Sequence, residues 1–496
     1  MCSVGIALES RAIALFLRLQ SAVADAEAWG LIAEVNYMDS IVNQKISPCH
    51  VLAVPYPGRG HINPMLDLCS AVAQKSTDIL VTVVLTEEWI SFIGSVSKPP
   101  NVRFATIPNV LPSELVRGAD PRGFWTAVST KMEEPVERLL DQLRLPLAIV
   151  IADAFLIWAG DVAGRRNIPL ASLWPMSASA FTVFYHFDLL VQNGHFPINI
   201  SENGDEIVDY IPGLPPLLVR DLPKVMRKQE DAPRFLRLVP RAKFLIFSSI
   251  YELESQVINA LKQQSPYSIY NIGPAASYHR LNHIYSNYLT SPHQENVDDY
   301  LQWLDCQPPR SVLYVSLGSF LSVSAAQMDE IAAGLHESGC RFLWVTRVEK
   351  TRLEKICGEK GLVVGWCDQL YVLCHPSQGG FWTHCGWNST KEAVLAGMPL
   401  LTFPIVMDQA PNAKAIVEDW KMGWRVTREY DEDNLASSSM IAEIVQRFMD
   451  LESPERKELT RNARQLQEAC EREFANGQSF HKEVEGFATS ILENRL

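Results

Sequence analysis

From residue 50 onward, short apolar runs rich in β-branched residues alternate with longer helical stretches, and the whole alternation occurs twice. Strands that are apolar on both faces must be covered on both faces, so the pattern prescribes parallel sheets with helices packed on either side. In the first half it predicts strands at His50 to Pro55, Ile79 to Leu85, Val102 to Ile107, Leu147 to Ala152, Ile168 to Leu173 and Lys243 to Ser248. In the second half it predicts Ser311 to Ser316, Arg341 to Thr346, Leu362 to Gly365, Gly379 to Thr383, Met398 to Phe403 and Gly423 to Val426. Pro274 to Val297 is polar and aperiodic, which marks a linker, and a charged helical pattern from Ser453 to about Phe474 closes the chain. The expected organisation is an extension at 1–48, an α/β domain at 49–273, a linker at 274–300, a second α/β domain at 301–452 and a helical segment at 453–496 that packs back on the first domain.

A chain of 496 residues with 47% hydrophobic and 20% charged side chains can bury a large core, which excludes disorder as its main state. Its 44 basic and 57 acidic side chains leave a net charge of -13, which argues against a nucleic-acid or anionic-membrane partner and for a small molecule. The ten cysteines are scattered with no C-x-x-C pair, so neither a zinc site nor a disulfide framework is expected, and a reducing, cytoplasmic compartment fits. The longest uncharged apolar stretch, Ile168 to Tyr185, is broken by Pro169 and Pro175, so no membrane span is expected. The first 37 residues carry only Arg11 and Arg18 against Glu9, Asp25, Glu27 and Glu34, unlike a transit peptide. Met38 is a plausible alternative start, and the extension before it is expected to be dispensable.

Two places carry candidate chemistry. The first strand runs into Pro57-Gly58-Arg59-Gly60-His61-Ile62-Asn63-Pro64 and then into a helical pattern. This Gly-rich turn presents His61 at a helix head on the ligand-binding edge of a sheet, either as a base or as a residue that only caps or packs. Asp153 ends the run Leu147 to Ala152 on the same edge, where it either closes a loop or orients the imidazole of His61. The denser constellation contains Trp366, Cys367, Asp368 and Gln369, then His375, then Gly379 to Glu392 with His384, Trp387, Asn388 and Ser389, and finally Gly397, Pro399, Asp408 and Gln409. A strand ending at Thr383, a turn of small residues and a helix starting near Asn388 make an anion site for a pyrophosphate. Leu317-Gly318-Ser319 after another strand offers a second small-residue cradle. Ser389 and Glu392 also have the spacing of a helix capping box.

With these residues the chain resembles the plant family of UDP-dependent glycosyltransferases that act on small molecules. The signature W-x-x-Q, H, G-x-F-x-x-H-C-G-W-N-S-x-x-E, G-x-P and D/E-Q is matched from Trp366 to Gln409, and Gly60 to Pro64 and Val315 to Ser319 match further landmarks. The resemblance implies an α/β GT-B fold, two Rossmann-like domains with parallel sheets facing a cleft, the first binding the acceptor and the second the UDP-sugar. It implies that Trp366 stacks on uracil, Gln369 and Glu392 hold the ribose, and His384, Asn388, Ser389 and Ser319 contact the phosphates. Asp408 and Gln409 would hold the sugar, Trp387 would line its pocket, and His61 would be the general base with Asp153 as its partner. A terminal Gln in this family goes with glucose donors. The implied reaction is inverting, metal-independent transfer of glucose from UDP-glucose, a co-substrate, to a hydroxyl of a small phenolic or terpenoid-like acceptor by a monomer without a cofactor. Val110 to Trp125, Trp174 to Phe196 and Leu214 to Arg227 are expected to shape the acceptor pocket. Asp368, where the family often has Pro, is a departure, and so is the long leader.

Three rivals belong to other classes. A nicotinamide dehydrogenase needs a third glycine where Asn63 stands. A metal-dependent transferase would use Asp431-Glu432-Asp433, a run that reads as a solvated helix start. A catalytically inactive protein that binds a nucleotide sugar or a lipophilic ligand would be expected to have lost His61 or part of the signature.

Overall fold

The structure, a computed structural model, describes residues 48–93, 97–227, 236–274, 278, 280, 284, 299–318, 323–346, 350–431, 433–476 and 479–494. The expected extension at 1–48 lies almost wholly outside the described residues, as does most of the expected linker.

The described chain forms two large parallel sheets and a small ribbon. Seven strands, β1 (Cys49–Val54), β2 (Ile79–Thr86), β3 (Val102–Ile107), β4 (Leu147–Asp153), β5 (Leu170–Trp174), β8 (Phe244–Phe247) and β9 (Ser268–Asn271), run parallel in the order β3-β2-β1-β4-β5-β8-β9. A two-stranded antiparallel ribbon, β6 (Ile207–Val208) with β7 (Leu217–Leu218), lies between β5 and β8 in sequence. The second sheet, β10 (Val312–Ser316) to β15 (Gly423–Arg425), has the order β12-β11-β10-β13-β14-β15, with β11 at Arg341–Val345, β12 at Gly361–Val364, β13 at Gln378–Thr383 and β14 at Leu400–Thr402. Every residue of β1, β2, β4 and β13 is buried, as continuous apolar runs covered on both faces require. These are the two Rossmann-like domains facing a cleft that the resemblance implies.

Small differences from the sequence pattern have local causes. β5 starts at Leu170 rather than Ile168, because Pro169 has no N–H for the ladder and contributes only its carbonyl, to Val150 N. β14 shrinks to three residues between Pro399 and Pro404 for the same reason. β9 and the ribbon went unpredicted: four residues with two of them partly exposed, and two-residue strands, carry no readable period.

Six helices matter for the site: α1 (Arg59–Lys75), α2 (Ala178–Tyr185), α3 (Tyr251–Gln264), α4 (Trp387–Leu395), α5 (Pro454–Asn476) and α6 (Ser479–Glu493). The last two carry the chain back across the molecule. Gln467 on α5 donates to the Leu395 carbonyl at the end of α4, 3.0 Å away. α6 then buries Phe480, Val484, Phe487, Ala488 and Ile491. The Phe487 ring lies 5.2 Å from Tyr270 and 5.8 Å from Phe244, both in the first sheet. Glu483 accepts the Asn271 amide at 3.1 Å, and Tyr270 and Ser490 hydroxyls bond at 2.8 Å. Phe487→Ala removes a fully buried ring and is expected to cost about 3–5 kcal/mol. The check is the urea midpoint: it should fall, and an unchanged midpoint would show that α6 is not part of the first domain's core.

Candidate functional site

β1 and β4 are adjacent, with Val54 opposite Ala152, so the segments that follow them leave the sheet side by side. Asp153, the last residue of β4, is fully buried and is held by its own turn, Oδ1 accepting the Phe155 amide at 3.0 Å. The other oxygen, Oδ2, lies 2.8 Å from His61 Nδ1. A buried carboxylate beside Nδ1 fixes the proton on that nitrogen, which leaves Nε2 as the acceptor of the ring. The His61 side chain keeps 20% of its surface exposed. Tyr56 and Phe155 stand 4.9 and 5.2 Å from the imidazole, and Trp125, Trp174, Phe181 and Phe184 continue the aromatic wall. Of the expected acceptor-pocket stretches, the first two therefore reach this wall. In the third stretch, Leu214 and Leu217 line a cavity of about 220 Å³ with Trp387 and Trp420, and Leu217, Val219, Leu222 and Met226 share the apolar core that holds Trp174 and Phe181.

The second cluster of candidate residues is built the same way. β10 pairs with β13, Ser316 opposite Thr383, so Leu317-Gly318 and His384-Cys385-Gly386 are neighbouring turns. A Cβ on Gly318 or Gly386 would stand 2.8 or 2.5 Å from His384 Nε2, so the imidazole fits only because both are glycines. Burial pushes its pKa down to about 4, against the pull of the Ser316 carbonyl, so the ring is neutral near pH 7. Ser319 lies outside the described residues. Cys385 takes a left-handed conformation, φ 66°, to turn the chain into α4, and its buried thiol is pushed far above the usual range. It is no partner in a dyad with His384.

Gln369 joins the candidate ribose residues. Its Nε2 donates to Glu392 Oε2 at 2.7 Å and to Ser389 Oγ at 3.0 Å, and its oxygen accepts the Tyr314 hydroxyl at 3.3 Å. Burial raises the pKa of Glu392, and the bond from Gln369 opposes that shift. The capping-box reading of Ser389 and Glu392 is wrong: α4 begins at Trp387 after Gly386, so both residues lie inside it, turned toward Gln369. Asp368 is the residue that caps, accepting the Tyr371 amide at 3.2 Å ahead of the short helix Gln369–Leu373, and it also pairs with Arg280. A Pro at this position would lack that cap. Trp366 is 48% exposed, and the Arg59 guanidinium lies 5.6 Å from its ring centre.

Asp408 follows Met407, another left-handed residue, φ 59°. Asp408 accepts from Asn412 Nδ2 at 2.9 Å, and burial pushes its pKa up to about 6, so it is ionised above that pH. The Gln409 oxygen accepts the amides of Ile405 and Val406 at 2.7 and 2.9 Å, which leaves its amino group as the end able to serve a ligand. The Trp387 indole N–H donates to the Ser248 carbonyl at 3.0 Å, so this side chain offers a ligand only its apolar surface.

Asn388 reaches across the cleft: its Nδ2 donates to the Gly60 carbonyl at 2.8 Å. The cause is in the sequence. Pro64 lies inside α1 and has no N–H to give to the carbonyl four residues back, so the Gly60 oxygen is available to another donor. Sequence reasoning missed this bond, and it missed Ser248, Glu254, Lys391 and Asn412. The signal for Lys391 was a charge four residues after Trp387, on the buried face of a helix. The rival motifs lead elsewhere: Asn63 is exposed, and Asp431 and Asp433 are exposed in a turn ahead of the helix Ser438–Met449.

A family profile described as UDP-glucoronosyl and UDP-glucosyl transferase matches residues 284–445. UDP-glycosyltransferase 87A2 of Arabidopsis thaliana is 46% identical over 450 residues, covering 89% of this chain and 96% of that protein. UDP-glycosyltransferase 87A1 of the same plant is 46% identical over 447 residues, covering 89% and 100%. Among solved structures, Phytolacca americana UGT2 complexed with UDP-2fluoro-glucose and pterostilbene matches with a TM-score of 0.72 at 25% identity, over 90% of this chain and all of that one. With two parallel sheets, a His–Asp pair on one side of the cleft and the complete donor signature on the other, the chain belongs to the plant UDP-glycosyltransferase family.

Proposed function

We propose that this UDP-glycosyltransferase moves glucose from UDP-glucose to a hydroxyl of a small lipophilic acceptor, phenolic or terpenoid-like, with inversion at the anomeric carbon. The observation that carries the reading is the 2.8 Å bond between His61 and buried Asp153, set against an aromatic wall and opposite the donor residues. His61 Nε2 takes the acceptor proton as the oxygen attacks, and Asp153 stabilises the charge that the ring gains. The aromatic wall favours a flat or greasy acceptor. Phytolacca americana UGT2, with UDP-2fluoro-glucose and pterostilbene, supports both halves of that assignment.

On the donor side, Trp366 offers an open face for uracil, Gln369 and Glu392 hold the ribose, and Asp408 and the amino group of Gln409 hold sugar hydroxyls. The leaving diphosphate is received by the amide end of α4, by Asn388 and Ser389, by neutral His384 and by Ser319. These are amides, hydroxyls and an imidazole rather than carboxylates, a set that stabilises an anion directly and asks for no metal. Both halves of the site come from one chain, which suits a monomer. The scattered cysteines, with no C-x-x-C pair in the sequence, suit the cytosol. No helix among the described residues is long and apolar enough to cross a membrane.

Two experiments test the assignment. His61→Ala should lower turnover by at least roughly 100-fold while UDP affinity in calorimetry stays near wild type, and Asp153→Asn should do less damage. Full rates in both variants, with acidic and poorly acidic acceptors alike, would remove His61 as the base. For the sugar, competition at equal concentration should favour UDP-glucose over UDP-galactose, and Gln409→Ala should lose roughly 10- to 100-fold in kcat/KM. A wild-type preference for galactose would overturn the donor assignment.

A further inference from the structure

α4 presents its amino end to the donor, and its opposite face carries a charge that the transfer chemistry does not use. Lys391 is 2% exposed, one helical turn beyond Trp387 and on the same side. Its Nζ donates to the Ser248 carbonyl at 2.7 Å and lies 2.9 Å from the Ser248 hydroxyl. The same carbonyl accepts the Trp387 indole. Ser248 follows β8 in the first domain, so two side chains of the donor helix converge on one point of the acceptor sheet.

A buried ammonium is costly unless it is hydrogen-bonded and faced by opposite charge, and an apolar side chain would fill the same space without that cost. Four carboxylates surround this one: Asp67 on α1, Glu254 on α3, Glu392 on α4 itself and Asp408 beyond β14. Burial pulls the lysine below its usual range, and these carboxylates pull it back up.

We propose that Lys391 is a positioning residue of the transfer reaction, a cross-cleft strut that holds the donor-binding helix in register with His61 and the acceptor pocket. The strut continues into the pocket wall. Ser249 Oγ donates to Glu254, and that carboxylate accepts the Ala178 and Ser179 amides at 2.9 and 2.7 Å. Those amides open α2, whose Phe181 and Phe184 pack on Trp174. On the other flank Asn388 bonds to Gly60, one residue before His61. Asn388 is also a proposed phosphate ligand, so a bound donor competes for its amide. Lys391 is buried away from that competition, and its grip survives donor binding.

The inference rests on the reading of α4 as the diphosphate-binding helix. A displacement of about 1 Å between reacting groups costs on the order of 100-fold in rate. Lys391→Met keeps the volume and removes the charge. It should lower kcat roughly 10- to 100-fold, hold the UDP dissociation constant within about threefold of wild type, and raise the ratio of UDP-glucose hydrolysis to transfer, because a misaligned acceptor admits water. Ser248→Ala keeps the carbonyl and removes only the hydroxyl contact, so it should shift the same ratio in the same direction by less. It carries the test by itself if Lys391→Met does not fold. An unchanged kcat and hydrolysis ratio, or a loss of UDP affinity as large as the loss of kcat, would overturn the strut while leaving the donor site in place. Wild-type protein that fails to bind UDP would instead overturn the donor-site reading.

Discussion

Where a doubly wound sheet reverses its winding, two neighbouring strands send their connections to opposite faces and open a crevice at their carboxyl ends. β1 and β4 are that pair in the first sheet, and β10 and β13 in the second. The register of the first pair places the turn before His61 beside Asp153, and the register of the second places Gly318 beside His384. Local chemistry then finishes each half: the Phe155 amide fixes one carboxylate oxygen of Asp153, and two glycines leave just enough room for the imidazole of His384. The remaining site residues sit on loops and helix starts whose positions follow from these two pairings.

The cleft is an electrostatic device as much as a shape. Burial neutralises His384 and raises the pKa of Asp408 and Glu392, with Asn412 and Gln369 opposing the shift of each carboxyl in turn. Lys391, the buried lysine of α4, is turned toward the first sheet, where it meets the Ser248 carbonyl.

The sheets were legible because their strands are continuous apolar runs, and the donor signature was legible because so many of its residues are chemically specific at fixed spacing. Errors came where a residue has two uses. Ser389 and Glu392 fit a capping pattern, yet α4 starts two residues before Ser389 and both side chains serve Gln369. Gln409 also has a second use that the sequence does not show, because its oxygen is held by the loop before it and only its amino group is left for a ligand. The cross-cleft bonds of Asn388 and Lys391 join residues 328 and 143 positions apart, a separation over which periodicity and spacing carry no information. In hindsight the Pro64 signal was readable, since a proline within a helix always frees a carbonyl one turn back.

The proposed reaction is a single displacement, with the acceptor oxygen activated by His61 and the diphosphate leaving from the opposite face. Asp153 is tied to His61 and to the Phe155 amide, so it is placed to assist the base rather than to attack the sugar. The most direct test is the anomeric configuration of the first product formed from UDP-α-glucose, read from its H1–H2 coupling by proton NMR before any product is recycled. The β-glucoside alone is expected. An α-glucoside would require two displacements and a covalent or ion-pair intermediate, and would contradict the assigned roles of His61 and Asp153.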